Sequence, residues 1–349
     1  MATKRVGART LRFGEPPAVQ SWAAVVGKRE GEGPLGNRFD RIHRDTLLGE
    51  KSWEKAESRM QSEALTLALE KAGVESDDVD VIYAGDLMNQ CIATSFGMRS
   101  FGRPLIGLYG ACSTMAEGLM SASMAIDGGF ADTAAALTSS HFASAERQYR
   151  TPLEYGAQRT PTAQWTATAS GAALLHAKLS GGRSSEPRVT YALPGRIVDL
   201  GIKDANNMGA AMAPAAADTL LALFRDTGTT PADYDLVVTG DLGVVGFDLL
   251  RALLKREGVE PGVSMNDCGL LLFDREREDV HAGASGCGCS AAVLCAMLLP
   301  ELERGRLKRI VFAGTGALLS PTSSMQGESI PGICHAVVIE AGEGAGAQC

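Results

Sequence analysis

Residues 65–87 read LTLALEKAGVESDDVDVIYAGDL, and residues 220–242 read LLALFRDTGTTPADYDLVVTGDL. The two stretches align at one constant offset without a gap. Leu65, Gly73, Asp78, Asp80, Gly85, Asp86 and Leu87 recur as Leu220, Gly228, Asp233, Asp235, Gly240, Asp241 and Leu242. Each copy carries an apolar helical pattern, a glycine stop, an acidic turn, a short buried strand and a Gly-Asp-Leu corner. Two copies so far apart do not make a solenoid, whose units repeat many times at short period. They predict two homologous halves, 1–183 and 184–349, with any site expected where the halves meet.

Composition agrees with a folded, two-part protein. Of 349 residues, 45% are hydrophobic and 21% charged, which excludes a disordered chain. Aromatics are only 5% while glycine numbers 41, so backbones are expected to pack closely. A net charge of −8 argues against sequence-independent binding of nucleic acid or an anionic membrane surface. No apolar run approaches the ~20 residues needed to span a bilayer. The first residues lead into no apolar segment, so an intracellular protein is expected. The eight cysteines have neither the density nor the spacing of a disulfide framework and are read as reduced thiols.

Strands are predicted at 6–13, 19–26, 79–84, 105–109, 131–138, 170–177, 235–239, 309–313 and 336–340. Helices are predicted at 52–72, capped by Ser52 and stopped by Gly73, at 115–126, at 215–226 and from 289. Trp53, Ala56, Met60, Ala64 and Leu67 mark the apolar face of the first. Residues 141–164 form a polar excursion without periodicity, and 180–187 read as a linker. Strands alternating with helices and buried on both faces imply mostly parallel α/β layers.

The sharpest chemical signal is Gly107-Leu108-Tyr109-Gly110-Ala111-Cys112-Ser113. It sets a cysteine between a buried strand and a helix. Unpaired amides and the helix dipole there favour a thiolate or bind a ligand carboxylate. A small buried residue filling a tight turn is the alternative. Two halves with Gly-Ala-Cys-Ser at the head of the first half's central helix resemble the thiolase fold, an α/β fold of two homologous halves related by a pseudo-twofold and layered αβαβα. Condensing enzymes of that superfamily place their nucleophilic cysteine at this point. His281-Ala282-Gly283-Ala284-Ser285-Gly286 resembles a thiolase histidine segment but lacks its proline and is one residue short. Where ketoacyl synthase III-type enzymes carry a catalytic histidine, this chain has Gly240-Asp241-Leu242. A carboxylate there repels a developing oxyanion. The condensing constellation is therefore not assembled, and no catalytic residue is expected.

A second resemblance covers almost the whole chain. It is carried by Gly85-Asp86-Leu87-Met88-Asn89-Gln90, Gly110-Ala111-Cys112-Ser113-Thr114-Met115-Ala116-Glu117 and Thr138-Ser139-Ser140-His141-Phe142. Pro161-Thr162-Ala163-Gln164-Trp165-Thr166 and Gly286-Cys287-Gly288-Cys289-Ser290-Ala291 complete it. In order and at these spacings they resemble the stage V sporulation protein AD family. That resemblance implies a thiolase-like protein that binds dipicolinic acid (pyridine-2,6-dicarboxylate) in place of condensing acyl groups. It implies integral membrane partners from the same sporulation operon, and a role in loading the compound into the developing spore and releasing it at germination. It also implies a place at the spore inner membrane. The fold implies a homodimer formed by extending the central sheet.

A flat dianion needs amide or cationic donors and a slot for its ring. The candidate ligand-binding residues are Cys112, Asp86, His141, Arg147, Arg150, Arg159, Gln164 and His281, with the rings of Phe142, Tyr149 and Trp165 nearby. Asp86 and Asp241 either face each other and hold a calcium carried with the ligand, or bond their own turns. No resident cofactor or metal is expected: Cys287-x-Cys289 lacks zinc spacing, and Gly314-Thr315-Gly316 lacks the context of a dinucleotide site. His43, His176 and His335 are read as structural. The alternatives to a binding protein are an acyl transferase using Cys112 and a ligand-free subunit of a membrane complex.

Overall fold

Both copies of the repeat fold as helix, left-handed glycine and strand. A computed structural model describes residues 2–149, 159–177 and 183–346. Ser52 Oγ caps the helix Trp53–Ala72 by accepting from Lys55 N at 3.4 Å, and Gly73 ends it at φ 69°. Gly228 ends Met208–Thr227 in the same way at φ 67°. A side chain is strained at such angles, so glycine stops both helices.

The strands that carry the architecture are β1 (Ala18–Val26), β2 (Val81–Gly85), β3 (Leu105–Leu108), β4 (Thr133–Ser140) and β5 (Ala169–His176) in the first part of the chain. Those of the second are β6 (Arg188–Leu193), β7 (Leu236–Thr239), β8 (Met265–Asp267), β9 (Arg309–Ala317) and β10 (Gly332–Glu340). They lie in the order β8-β7-β9-β10-β6-β1-β5-β4-β2-β3. Read outward from the centre the order mirrors itself, β1 with β6, β5 with β10, β4 with β9, β2 with β7 and β3 with β8. The pairing senses mirror too. β2 is parallel to β3 and β4, as β7 is to β8 and β9, and β5 and β10 run antiparallel to both of their neighbours. β1 and β6 meet at one residue pair, Arg188 opposite Ala18.

The helices are α1 (Trp53–Ala72), α2 (Ile92–Met98), α3 (Thr114–Asp127), α4 (Phe142–Tyr149), α5 (Met208–Thr227), α6 (Gly243–Arg256) and α7 (Cys287–Val293). α1 covers one outer face, on β1, β4 and β5, and α5 covers the other, on β9 and β10, while α3 touches strands of both halves between them. The result is the five-layered αβαβα arrangement of the thiolase-like fold. Close packing explains the scarcity of aromatics: a Cβ on Gly171 of β5 would sit 2.5 Å from the Ala291 carbonyl of α7.

The pairings make the sheet mixed and not mostly parallel as expected, because β5 and β10 run against both neighbours, and four local expectations also need correction. Residues 6–13 form not one strand but the short pair Arg5–Val6 and Thr10–Arg12. The excursion after residue 140 opens with a helix, α4, whose Ala145, Glu146 and Tyr149 share a face. α5 begins at Met208 and runs through Pro214. The proline leaves the Ala210 carbonyl without its helical donor, but burial of Ala211, Met212, Ala215, Ala216 and Leu220 holds the turn in place. On α1 the buried face is Ala56, Met60, Ala64, Leu65 and Ala68, with Glu57 and Gln61 buried among them and Trp53 at the rim. Of the linker 180–187, residues 180–182 lie outside the described residues.

One buried acid makes stability depend on pH. Glu30 accepts from Thr168 N at 2.9 Å, and its other oxygen has no partner among the described residues. Burial raises its carboxyl from 4.5 to about 7, against the Thr168 amide. Between those values the native chain keeps a proton that the unfolded chain has released. Its contribution is therefore complete below the unfolded value and is lost as pH rises through the folded one, by roughly 3 kcal/mol. Urea unfolding at about pH 5 and about pH 8 is expected to show this fall. Glu30→Gln, which keeps the acceptor for Thr168, should remove about that share of it. An unchanged pH difference in the variant would refute the assignment.

Candidate functional site

Cys112 sits in a short 3-10 turn, Ala111–Ser113, that leads from β3 into α3. Ala111 before it takes φ 52°, a left-handed angle uncommon for alanine. Ser113 Oγ donates to the Gly110 carbonyl at 2.6 Å and Thr114 Oγ1 to the Ala111 carbonyl at 2.6 Å, so neither hydroxyl caps the helix. The thiol lines a cavity of about 50 Å³. Leu87 walls it from the β2 corner, Ala145, Glu146 and Tyr149 from α4, Ser285 from the turn before α7, and Leu319 from the segment after β9. Among the described residues no histidine lines it.

Of the readings open at this helix head, the thiolate is disfavoured. Burial pushes the Cys112 thiol well above its usual range, and the Asp241 carboxylate and the Cys287 thiol add to the rise. Asp241 is fully buried and its own carboxyl is raised by burial. Its oxygens accept from Thr315 Oγ1 at 2.8 Å, Gly286 N at 2.9 Å and Ser285 Oγ at 3.0 Å. Asp86 is equally spent: it accepts from Met88 N at 2.8 Å and from Thr94 N and Oγ1 at 2.8 and 2.7 Å. The two aspartates knit corners together: Asp86 bonds its own turn, as the second of the two readings has it, while Asp241 ties in Ser285, Gly286 and Thr315 from elsewhere in the chain.

Asp267, at the end of β8, does for its neighbours what Asp241 does for the cavity. It accepts from Thr239 Oγ1 at 2.6 Å, Leu242 N at 2.8 Å and the amides of Gly243 and Gly269, each at 3.0 Å. It thereby fixes the chain that leaves the Asp241 corner.

Of the candidate arginines among the described residues, Arg159 contacts a residue that lines the cavity. Its Nη2 donates to the Gln164 carbonyl at 2.5 Å and lies 3.4 Å from Oε1 of Glu146, a cavity-lining residue. Its guanidinium stands 5.0 Å from the Trp165 ring centroid. Trp165 stacks on Phe142 at 3.9 Å, and Arg29 lies 3.8 Å from the same ring. Arg147 points elsewhere, paired with Glu54 at the start of α1. Arg150 lies outside the described residues.

The remaining candidates are struts. Gln164 Nε2 donates to the carbonyls of Asp241 and Ala284 at 2.7 and 2.8 Å, which leaves it no donor for a carboxylate. His141 Nε2 meets the Thr46 carbonyl at 2.8 Å and Nδ1 accepts from Ala143 N at 3.1 Å. That pairing requires the neutral ring, and burial lowers its pKa accordingly. His281 takes φ 49°, pairs with Asp279 at 3.0 Å and stands outside the cavity lining. His43 and His176 pair with Glu63 and Glu186. His335 Nδ1 accepts from Gly195 N, and burial lowers its pKa to about 4.

Sequence reading missed Glu146 as a lining residue and Gln148 as a latch. Gln148 donates to the Leu87 carbonyl and accepts from Asn89 N, both at 3.0 Å, and Tyr149 Oη donates to the same carbonyl. α4 is thereby held on the β2 corner. The helical spacing of Ala145, Glu146 and Tyr149 was the available signal.

Known structures share this architecture. The 3-oxoacyl-[acyl-carrier-protein] synthase III of Aquifex aeolicus aligns with 93% of the chain and 99% of its own, at 12% identity and a TM-score of 0.57. Xanthomonas campestris OleA, solved with lauric acid and lauroyl-CoA, aligns with 94% and 99% at 14% identity and a TM-score of 0.60. At such identities the likeness speaks for the fold alone. No helix among the described residues is long and apolar enough to cross a membrane. Stage V sporulation protein AD of Bacillus subtilis (strain 168) is 43% identical over 342 residues, 98% of this chain and 99% of that protein. With the profile of the same family matching residues 7–340, this chain belongs to the stage V sporulation protein AD family.

Proposed function

We propose that the chain binds pyridine-2,6-dicarboxylate beside Cys112 and passes it to integral membrane partners during spore formation and germination, without acyl transfer. What carries the binding role over catalysis is the burial of Cys112 beside Asp241, which raises the thiol well above its usual range. A thiolate nucleophile and an oxyanion intermediate are both disfavoured next to a buried acid. What remains is a lined cavity with a tyrosine, apolar walls and a guanidinium one residue away. At about 50 Å³ it is smaller than the ~300 Å³ at which ligand sites begin. Ligand binding therefore needs α4 to draw back from the Leu87 corner, releasing the Gln148 and Tyr149 bonds. Glu146 opposes a dianion until Arg159 turns from it to the ligand.

Two measurements test this reading. Calorimetry is expected to show saturable binding of pyridine-2,6-dicarboxylate, with and without calcium, and much weaker binding of the monocarboxylate. Incubation with an acyl-CoA followed by intact mass measurement is expected to leave Cys112 unmodified. A stable adduct on Cys112 would establish acyl transfer instead, and absence of dicarboxylate binding would leave a structural subunit.

We also propose that two copies pair through β3. This strand closes one end of the sheet, and Leu105 and Ile106 on it are 38% and 47% exposed. Apolar residues on an unpaired edge are an open template for another strand. Ile106→Asp is expected to shift the sedimentation coefficient from dimer to monomer while the melting temperature stays readable. A dimer that persists in the variant refutes this edge.

A further inference from the structure

Far from Cys112, a depression of about 400 Å³ opens between the two halves. Arg38 and Lys71 reach it from the first half, Arg183 from the chain before β6, and Arg304 from the end of the helix Leu299–Glu303. Asp40 and Glu303 share its wall. Each of these carboxylates is matched to one cation, Lys71 to Asp40 at 2.5 Å and Arg183 to Glu303 at 3.0 Å. Arg183 also lies 3.8 Å from Glu186, whose carboxylate is turned inward onto His176.

The other cations are not matched. Among the described residues, Glu301 alone serves three guanidinium groups, Arg38 at 3.0 Å, Arg304 at 3.6 Å and Arg306 at 2.5 Å. One carboxylate neutralises one of them, so the group around Glu301 carries two excess positive charges; Arg38 and Arg304 of that group line the depression, and Arg306 does not. In a chain of net charge −8 this is a local inversion of sign. Planar guanidinium forks from separate segments match the oxygens of a carboxylate or phosphate. Concave sites between structural units are where small ligands bind.

We propose that this depression binds a small dianion of carboxylate or phosphate chemistry, independently of the cavity at Cys112. The cations already stand in place. The ligand completes the charge balance around Glu301, with Arg38 and Arg304 as its principal contacts.

The test is calorimetry at constant chloride, with inorganic phosphate and pyridine-2,6-dicarboxylate titrated separately into the wild type, Arg38→Ala, Arg38→Lys, Arg304→Ala and Arg159→Ala. Both target arginines are at least 40% exposed on their side chains, so the variants keep the wild-type melting curve. Expected is binding of at least one probe that weakens at least about tenfold in Arg38→Ala and in Arg304→Ala. Arg38→Lys restores it in part, and Arg159→Ala leaves intact the component of binding that Arg38→Ala removes. Phosphate alone or dicarboxylate alone assigns the ligand class within the proposal. No saturable binding by either probe overturns the proposal, as does the finding that neither probe loses affinity in Arg38→Ala or Arg304→Ala. A dicarboxylate signal lost only in Arg159→Ala belongs to the Cys112 cavity and, where phosphate does not bind, likewise overturns it.

Discussion

Arg159→Ala is expected to weaken binding of pyridine-2,6-dicarboxylate by about a hundredfold, because a desolvated charge-assisted contact is worth about 2–5 kcal/mol. Arg159 is held at the cavity rim by the Gln164 carbonyl and stands beside Trp165, while its carboxylate partner Glu146 lines the cavity. Arg159→Lys should recover only part of the loss, since an ammonium lacks the planar fork. Arg147→Ala should bind as the wild type does, because that side chain pairs with Glu54 away from the cavity. Glu146→Gln should bind more tightly, since it removes a like charge from the lining. Calorimetry on the four variants decides the matter. Wild-type affinity in Arg159→Ala sinks the placement of the dicarboxylate at this rim.

Asp267→Ala is expected to be the most destabilising single change near the site. It strips the acceptor from Thr239 Oγ1 and from the amides of Leu242, Gly243 and Gly269 at one buried point. Thr239 Oγ1 keeps the Asn266 carbonyl at 3.3 Å, but a buried donor left unpaired costs about 1–3 kcal/mol, so the three amides cost at least ~3 kcal/mol, a large part of the ~5–15 kcal/mol by which domains are stable. Asp267→Asn should cost less. Its carbonyl can still serve Gly243 and Gly269 while its NH₂ confronts the Leu242 amide. The Thr239 hydroxyl can rotate to accept. Urea unfolding followed by circular dichroism ranks the two, and equal stability of the Ala variant and the wild type would mean the network carries no net energy.

The tandem arrangement was legible because its signals are local. Glycines 73 and 228 need only φ near +70° to stop a helix, and an apolar run next to an acidic turn reads as a strand wherever it lies. Those cues recur in the order of the chain, so the two matching halves could be read from residues 65–87 and 220–242 alone. Cys112 could also be placed between strand and helix from its neighbours. Its chemistry could not. Helix-head amides favour a thiolate, but Asp241 lies in the other half of the chain and Cys287 arrives at the head of α7, so burial and their company reverse the expected shift.

The same division separates the other candidates. Arg147 and Arg159 look alike in sequence, and only the fold turns one to Glu54 and the other to the cavity rim. Gln164 reads as a ligand donor until its NH₂ is found bridging Asp241 and Ala284. Sequence by itself determined what short-range backbone preference and apolar periodicity control: the repeat, the alternation of strands with helices and the position of the thiol. Only the tertiary structure decided which charges meet and which polar groups lose water. Those depend on residues far apart in the chain, and the free energy of a buried charge is set by what surrounds it.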